Sequence, residues 1–199
     1  MTFERRGSAY LINSNLKLEM ESTWKIVPTT DWSQDEHDID LLFVKCTHKC
    51  KCILRKLKKY TSPKKYKGSF SPRKKAGVLM TSRAGKILVV QSRGRLWGVP
   101  KGGIEDGEQD IDCAFRELRE ETGVLIDRTR ERIDGTIQMK HGKYFTMFDQ
   151  PEHKLDIADC NDSTGVGWIT HKCLKSMLTR GVVRFTADFS RIIEIINNK

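Results

Sequence analysis

Between Asp40 and Glu105 the chain has no aspartate or glutamate at all. Residues 41–104 carry 18 lysines and arginines, while the rest of the chain sets 18 bases against all 26 acids, a balance of −8. A field so one-sided attracts a polyanion and does little to direct the fold. A solubilising surface or a nuclear-import signal would use the same lysines. Apolar runs are also short. None reaches the roughly eighteen residues that cross a bilayer, so no membrane partner is expected. The opening MTFERRGSAY lacks the apolar centre of a secretory leader. Without one, the six cysteines read as reduced thiols of a cytoplasmic protein, or of a nuclear one if the basic stretch 56–75 acts as an import signal. There is no internal repeat, and 199 residues accommodate one domain with an appendage.

What is present divides near residue 72. Leu16, Leu18 and Met20 alternate with polar residues, and Trp24, Ile26 and Val27 continue toward Pro28, so this part reads as extended. Ser33-Gln34-Asp35-Glu36 is a capping box. After it Ile39, Leu42, Phe43, Cys46, Cys50, Ile53, Leu54 and Leu57 recur at helical spacing. The expectation is a long amphipathic helix over about 34–60, with Lys45, Lys49, Arg55, Lys56 and Lys59 off its apolar stripe. On that helix Cys46 and Cys50 share a face while His48 and Cys52 point elsewhere, so no tetrahedral zinc site is expected. Residues 61–75 contain Pro63, Gly68, Pro72 and clustered lysines and read as a linker or arm. Tyr66 and Phe70 interleave those charges, a composition suited to stacking on bases.

The stretch from Gly102 to Val124, GGIEDGEQDIDCAFRELREETGV, organises the remainder. Asp106 is placed to cap a helix, with Gln109 as its capping-box partner and Gly123 as the stop. Ile111, Ala114, Phe115 and Leu118 make the core-facing stripe. Glu117, Glu120 and Glu121 stand at i, i+3 and i+4 on the adjacent face. Three clustered carboxylates repel one another unless a cation lies among them, and all-oxygen ligation suits a hard divalent ion such as magnesium. Arg116 has Asp112 at i−4 and Glu120 at i+4 and is suited to hold that cluster. A solvated acidic helix face laced with ion pairs is the plainer reading of E-x-x-E-E alone. Just before it, Trp97-Gly98-Val99-Pro100-Lys101-Gly102-Gly103 has glycines that let backbone amides approach a phosphate, with Lys101 beside them.

Every fixed position of the Nudix signature is filled here, from Gly102 through Glu108, Arg116-Glu117-Leu118 and Glu120-Glu121 to Gly123-Val124, and the chain resembles that family. The resemblance implies an α/β/α sandwich with a mixed sheet, here over residues 73–199, and the patterning described above makes 1–72 an extension that carries the long helix. It implies hydrolysis of a nucleoside diphosphate linked to another group, with Mg2+ or Mn2+ held by Glu117, Glu120 and Glu121, one of them possible as general base. Gly102, Glu108, Arg116 and Gly123 would support the site, and Lys101, Gly102 and Gly103 would bind phosphate. The family often takes a further acid from a later loop. Among Glu152, Asp156, Asp159 and Asp162, Asp162 is chosen, against a solvated loop as the plainer reading.

Other elements are simpler. Residues 76–80 and 86–92 read as a hairpin, 133–140 and 144–150 as strands around His141-Gly142-Lys143, and 166–170 as a strand. His141 and His171 read as turn and helix-start residues. Phe185, Phe189, Ile192, Ile193 and Ile196 form the core side of a closing helix. The Pro-Lys-Gly loop is similar to those of mRNA-decapping enzymes, of cells or of large DNA viruses, and of dinucleoside-polyphosphate hydrolases. It also lies near the loop of diphosphoinositol-polyphosphate phosphohydrolases. Gly103 stands where the cellular decapping loop usually has a second lysine. The cationic extension favours decapping, with capped RNA as partner, release of 7-methylguanosine diphosphate, and RNA contacts from Lys56, Lys59, Lys64, Lys65, Lys67, Arg73, Lys74 and Lys75. A small polyphosphate is the alternative substrate. A non-catalytic RNA-binding protein of this fold is disfavoured because all three signature carboxylates are present. Trp24, Trp32, Tyr66, Phe70 and Tyr144 are the aromatic candidates for stacking on a methylated guanine.

If the acid-free stretch neutralises about four phosphates of a single strand, log affinity falls against log salt with a slope of roughly −3. Replacing Lys56, Lys59, Lys64 and Lys65 together by glutamate should flatten that slope in a fluorescence titration.

Overall fold

The computed structural model describes residues 24–26, 43–46, 52–56, 74–93, 96–127, 129–155, 163–179 and 184–197. Its centre is a hairpin of β4 (Lys75–Ser82) and β5 (Lys86–Ser92), with Gly85 at φ +68° in the turn. Their ladder consists of one register pair, Thr81 with Ile87. Beyond it the strands splay, and the space takes β6 (Leu96–Gly98) and β7 (Lys101–Gly103). β6 pairs with β5 and β7 pairs with β4, while the Val78 amide donates to the Pro100 carbonyl at 3.0 Å. The glycine-rich loop is thereby wedged into the sheet.

β8 (Gly135–Gln138) pairs antiparallel with β9 (Gly142–Gln150), and β9 lies parallel to β4. β10 (Ser163–Thr170) runs antiparallel to β5 on the other side, which makes the sheet mixed. Alternation along the central strands sorts the core into two layers, as the two-residue period requires. Ala76, Val78, Met80, Leu88 and Val90 pack with Cys113, Ala114 and Leu118 of helix α1 (Asp110–Thr122). Leu79, Ile87 and Val89 pack on the opposite face with Leu174 of α2 (His171–Thr179) and with Phe189, Ile192 and Ile193 of α3 (Ala187–Asn197). This is the expected α/β/α sandwich, with His171 at a helix start and the closing helix in the core, although Phe185, expected on that helix, lies in a short strand before it.

Two expectations are corrected. Helix α1 starts at Asp110, with Gln109 as an N-cap that makes no side-chain cap bond, and Asp106 caps nothing. Glu108 is drawn instead into ion pairs with Arg116, and its Oε2 accepts from the Glu105 amide at 3.0 Å. Gly107, at φ +79°, completes a turn there. The C-terminus is as expected, with Gly123 left-handed at φ 74° and its amide on the Arg119 carbonyl.

The second correction concerns the continuous helix over 34–60. Within it lie β2 (Phe43–Cys46) and β3 (Ile53–Lys56), paired antiparallel. β1 (Trp24–Ile26) pairs with β2, and β3 pairs with β10. Cys52 and Leu54 are both buried, the i, i+2 pattern of a strand. A short apolar stripe fits either period, and the open edge of β10 supplied the ladder that local spacing does not encode. β3 therefore joins the extension to the sheet across the expected boundary at 72/73. The remainder of 34–60 lies outside the described residues.

Cys52 has no exposed surface; its thiol meets the Thr170 hydroxyl at 3.6 Å and accepts from the Thr170 amide at 3.1 Å. It should resist N-ethylmaleimide in the native protein and react once urea is added, as followed by peptide mass spectrometry. Rapid labelling of the native protein would restore the helix, on which Cys52 points away from the stripe.

Candidate active site

Helix α1 lies against β7, and the site forms where the two meet. Arg116 is the hub. Its Nε and Nη2 donate to the two oxygens of Glu108 at 2.8 and 2.9 Å, a bidentate fork. Nη1 donates to Glu117 Oε1 at 2.8 Å and to Glu120 Oε2 at 3.3 Å, and Nη2 also reaches the Gly103 carbonyl at 3.2 Å. One guanidinium thus ties the loop to the helix and gathers Glu117 with Glu120. Asp112 was the expected i−4 partner, but Glu108 takes the fork.

Burial pushes the Glu117 carboxyl up, and Arg116 opposes that. Its carboxyl group packs so closely on Gly102 that a Cβ there would occupy the same space. Glycine at 102 is required for that packing. Glu120 is more open, with 43% of its side chain exposed.

Glu121 goes elsewhere. It is buried, Oε2 accepting from the Lys101 amide at 2.7 Å and Oε1 from the Ser163 hydroxyl at 2.8 Å. Burial pushes its carboxyl up to about 7, against those two bonds and the charge of Lys101. Ser163 was missed by the sequence reading. A serine at a strand start carries no local signal, and only the β10–β5 pairing brings it within reach of α1.

The Lys101 side chain is half-buried. Burial lowers its pKa from the ordinary lysine value, as does the nearby charge of Lys75, while Glu121, Asp188 and Glu117 act the other way. Among the described residues its ammonium has no hydrogen-bond or ion-pair partner, which leaves it open to an anion. Cys113 lies under the loop, its thiol 3.5 Å from the Gly103 carbonyl, and burial pushes it up to about 12, away from reactivity.

Among the described residues no three His, Cys, Asp or Glu side chains already form a metal cage. The donor set nevertheless fits a hard cation. Magnesium takes one or two carboxylates plus waters and substrate phosphates, and Glu117 and Glu120 meet at one guanidinium nitrogen that a cation would relieve. Asp162, Lys59, Lys64, Lys65, Lys67 and Arg73 lie outside the described residues, as do Trp32, Tyr66 and Phe70. Lys56 is in β3, and Lys74 and Lys75 are exposed where β4 begins. Tyr144 is fully buried and donates to Asp188, so it cannot stack on a base.

The NUDIX domain pattern matches residues 71–188. The chain is 34% identical over 105 residues to the 111R protein of Invertebrate iridescent virus 3, covering 51% of this chain and 60% of that one. It is 36% identical over 89 residues to the RNA pyrophosphohydrolase of Sphingopyxis alaskensis, covering 40% and 48%. It is 39% identical over 87 residues to the m7GpppN-mRNA hydrolase of Saccharomyces cerevisiae, covering 42% of this chain and 9% of that one. The chain thus spans about half, or much less, of the length of these relatives.

The two inner carboxylates should respond to pH with opposite signs. Arg116 holds Glu108 down at about 2, so its contribution to stability is present above about 4.5 and is lost as pH falls toward 2. Glu121 is raised, so its contribution is present below about 4.5 and is lost as pH rises through about 7. In urea titrations without divalent ions, the deficit of Glu108→Gln against wild type should shrink toward acid. Glu121→Gln should gain on wild type as pH rises from about 5 to about 8.

Proposed function

The chain belongs to the NUDIX family, and on that premise we propose that it hydrolyses a phosphoric anhydride at the 5′ end of RNA, with mRNA decapping as the specific activity. The observation that carries hydrolysis is the carboxylate face of α1, gathered by Arg116 and pressed on Gly102. RNA is supported by the acid-free basic stretch 41–104 and by two relatives whose names specify RNA. A 5′-triphosphorylated RNA is the second reading, favoured by the match to an RNA pyrophosphohydrolase.

Glu117 and Glu120 would hold Mg2+ or Mn2+, and Glu121 contributes from beneath by fixing the Lys101 backbone. Such an ion, when bound, polarises the bridging phosphates and makes a nucleophile of water. The Lys101 ammonium meets a phosphate oxygen as charge develops on it. One of the three signature carboxylates would take a proton from the attacking water. Lys74 and Lys75 are exposed at the start of β4, where Lys75 is in register with Gly103, and would meet the phosphates that follow the first nucleotide. With decapping, the products are 7-methylguanosine diphosphate and RNA bearing a 5′-monophosphate.

Capped RNA, 5′-triphosphorylated RNA, free cap dinucleotide, diadenosine tetraphosphate and a diphosphoinositol phosphate, tested side by side by chromatography, decide the substrate. Capped RNA should be cleaved fastest and yield labelled 7-methylguanosine diphosphate. Label in the monophosphate, or turnover of the small polyphosphates alone, would overturn decapping. Glu120→Gln should lower turnover by about 100-fold or more. Because Glu120 is exposed, its unfolding midpoint should stay at the wild-type value.

A further inference from the structure

Lys101, Gly77 and Tyr144 form one row across three strands. Gly77 of β4 is in register with Lys101 of β7 on one side and with Tyr144 of β9 on the other. Directly opposed residues project from the same face, so the lysine and tyrosine side chains leave the sheet together. That face is the one covered by α3, for Tyr144 packs with Phe189 and Ile192. Gly77 leaves the row open between them; a Cβ there would stand 2.6 Å from Lys101 Cβ.

The C-terminal segment closes over the row. β11 (Arg184–Phe185) runs parallel to β6, and the Thr186 amide donates to the Trp97 carbonyl at 3.0 Å. A Cβ on Gly98 would lie 3.0 Å from Thr186 Oγ1 and 3.7 Å from Lys101 Nζ, so the ammonium sits over Gly98 at the start of α3. Within the first turn of that helix, Asp188 accepts from the Tyr144 hydroxyl at 2.6 Å. Its charge acts on Lys101 without an ion pair forming. The tyrosine is fully buried, so the carboxylate is held by a group that itself has no freedom to move.

We propose that Asp188, fixed by the Tyr144 hydroxyl, is a positioning residue for the Lys101 ammonium, aiming it at the substrate phosphate. The assignment rests on the hydrolase reading of the site. Asp188 touches no reacting atom; it acts through Lys101. A contact ion pair would consume the ammonium, whereas a fixed negative charge on the same face of the sheet orients it and leaves its donors free for phosphate.

A double-mutant cycle tests this. Wild-type turnover of at least one anhydride is measured first, so that inactivity counts against the hydrolase reading and not against the pair. Lys101→Met, Asp188→Asn and Tyr144→Phe should each lower kcat by about 10-fold or more with KM less affected. The Lys101→Met/Asp188→Asn double variant should be no slower than the worse single variant. Losses that multiply in the double variant, or full activity of Lys101→Met, would overturn the proposal. Should Asp188→Asn fail to fold, Tyr144→Phe, which keeps the packed ring, takes its place in the cycle. Should wild type cleave nothing, the same cycle is run on imidodiphosphate affinity by calorimetry. Asp188→Asn must then weaken binding in the wild-type background and leave it unchanged in the Lys101→Met background, or the proposal is wrong.

Discussion

The Arg116 guanidinium is the constraint on which the site depends. Five donors in a rigid plane meet Glu108, Glu117, Glu120 and the Gly103 carbonyl, so one side chain fixes the loop after β7, the turn before α1 and two carboxylates of α1. Lysine could not replace it, because an ammonium lacks the bidentate fork that holds Glu108. The early acids are also why the helix begins where it does. Glu108 is committed to the fork, Gly107 turns the chain, and the helix starts only at Asp110.

Glu121 and Glu117 come from one helix face and serve two ends. Glu117 is pressed outward against a glycine that leaves it room, while Glu121 is sunk beneath the strand and bonded to neutral donors. Their shared cause is burial, which raises both carboxyls. A carboxylate raised in this way is costly to fold around and ready to accept either a proton or a cation. The Lys101 backbone serves Glu121 while its side chain turns to the other face of the sheet, toward Tyr144 and Asp188. A single residue thereby couples the two layers of the sandwich at the site.

The basic stretch is continuous with this arrangement. β4 carries Lys75 at its start, and β3, inside the acid-free region, is hydrogen-bonded to β10. Both of these described segments thus belong to the same sheet that holds Glu121 through Ser163 at the head of β10.

The sequence by itself determined the signature helix, its core stripe, its glycine stop, the carboxylates at i, i+3 and i+4, and the hairpin of β4 and β5. Each of these is local, and a local period or a single left-handed glycine suffices to encode it. Tertiary structure alone decided that Glu121 faces Ser163, that Arg116 turns to Glu108 and not to Asp112, that Tyr144 is sealed against Asp188, and that residues 43–46 and 53–56 are strands. These depend on partners far along the chain, as Cys52 against Thr170 shows. An apolar stripe can satisfy two periods at once, and the unpaired edge of β10 is what selected the strand.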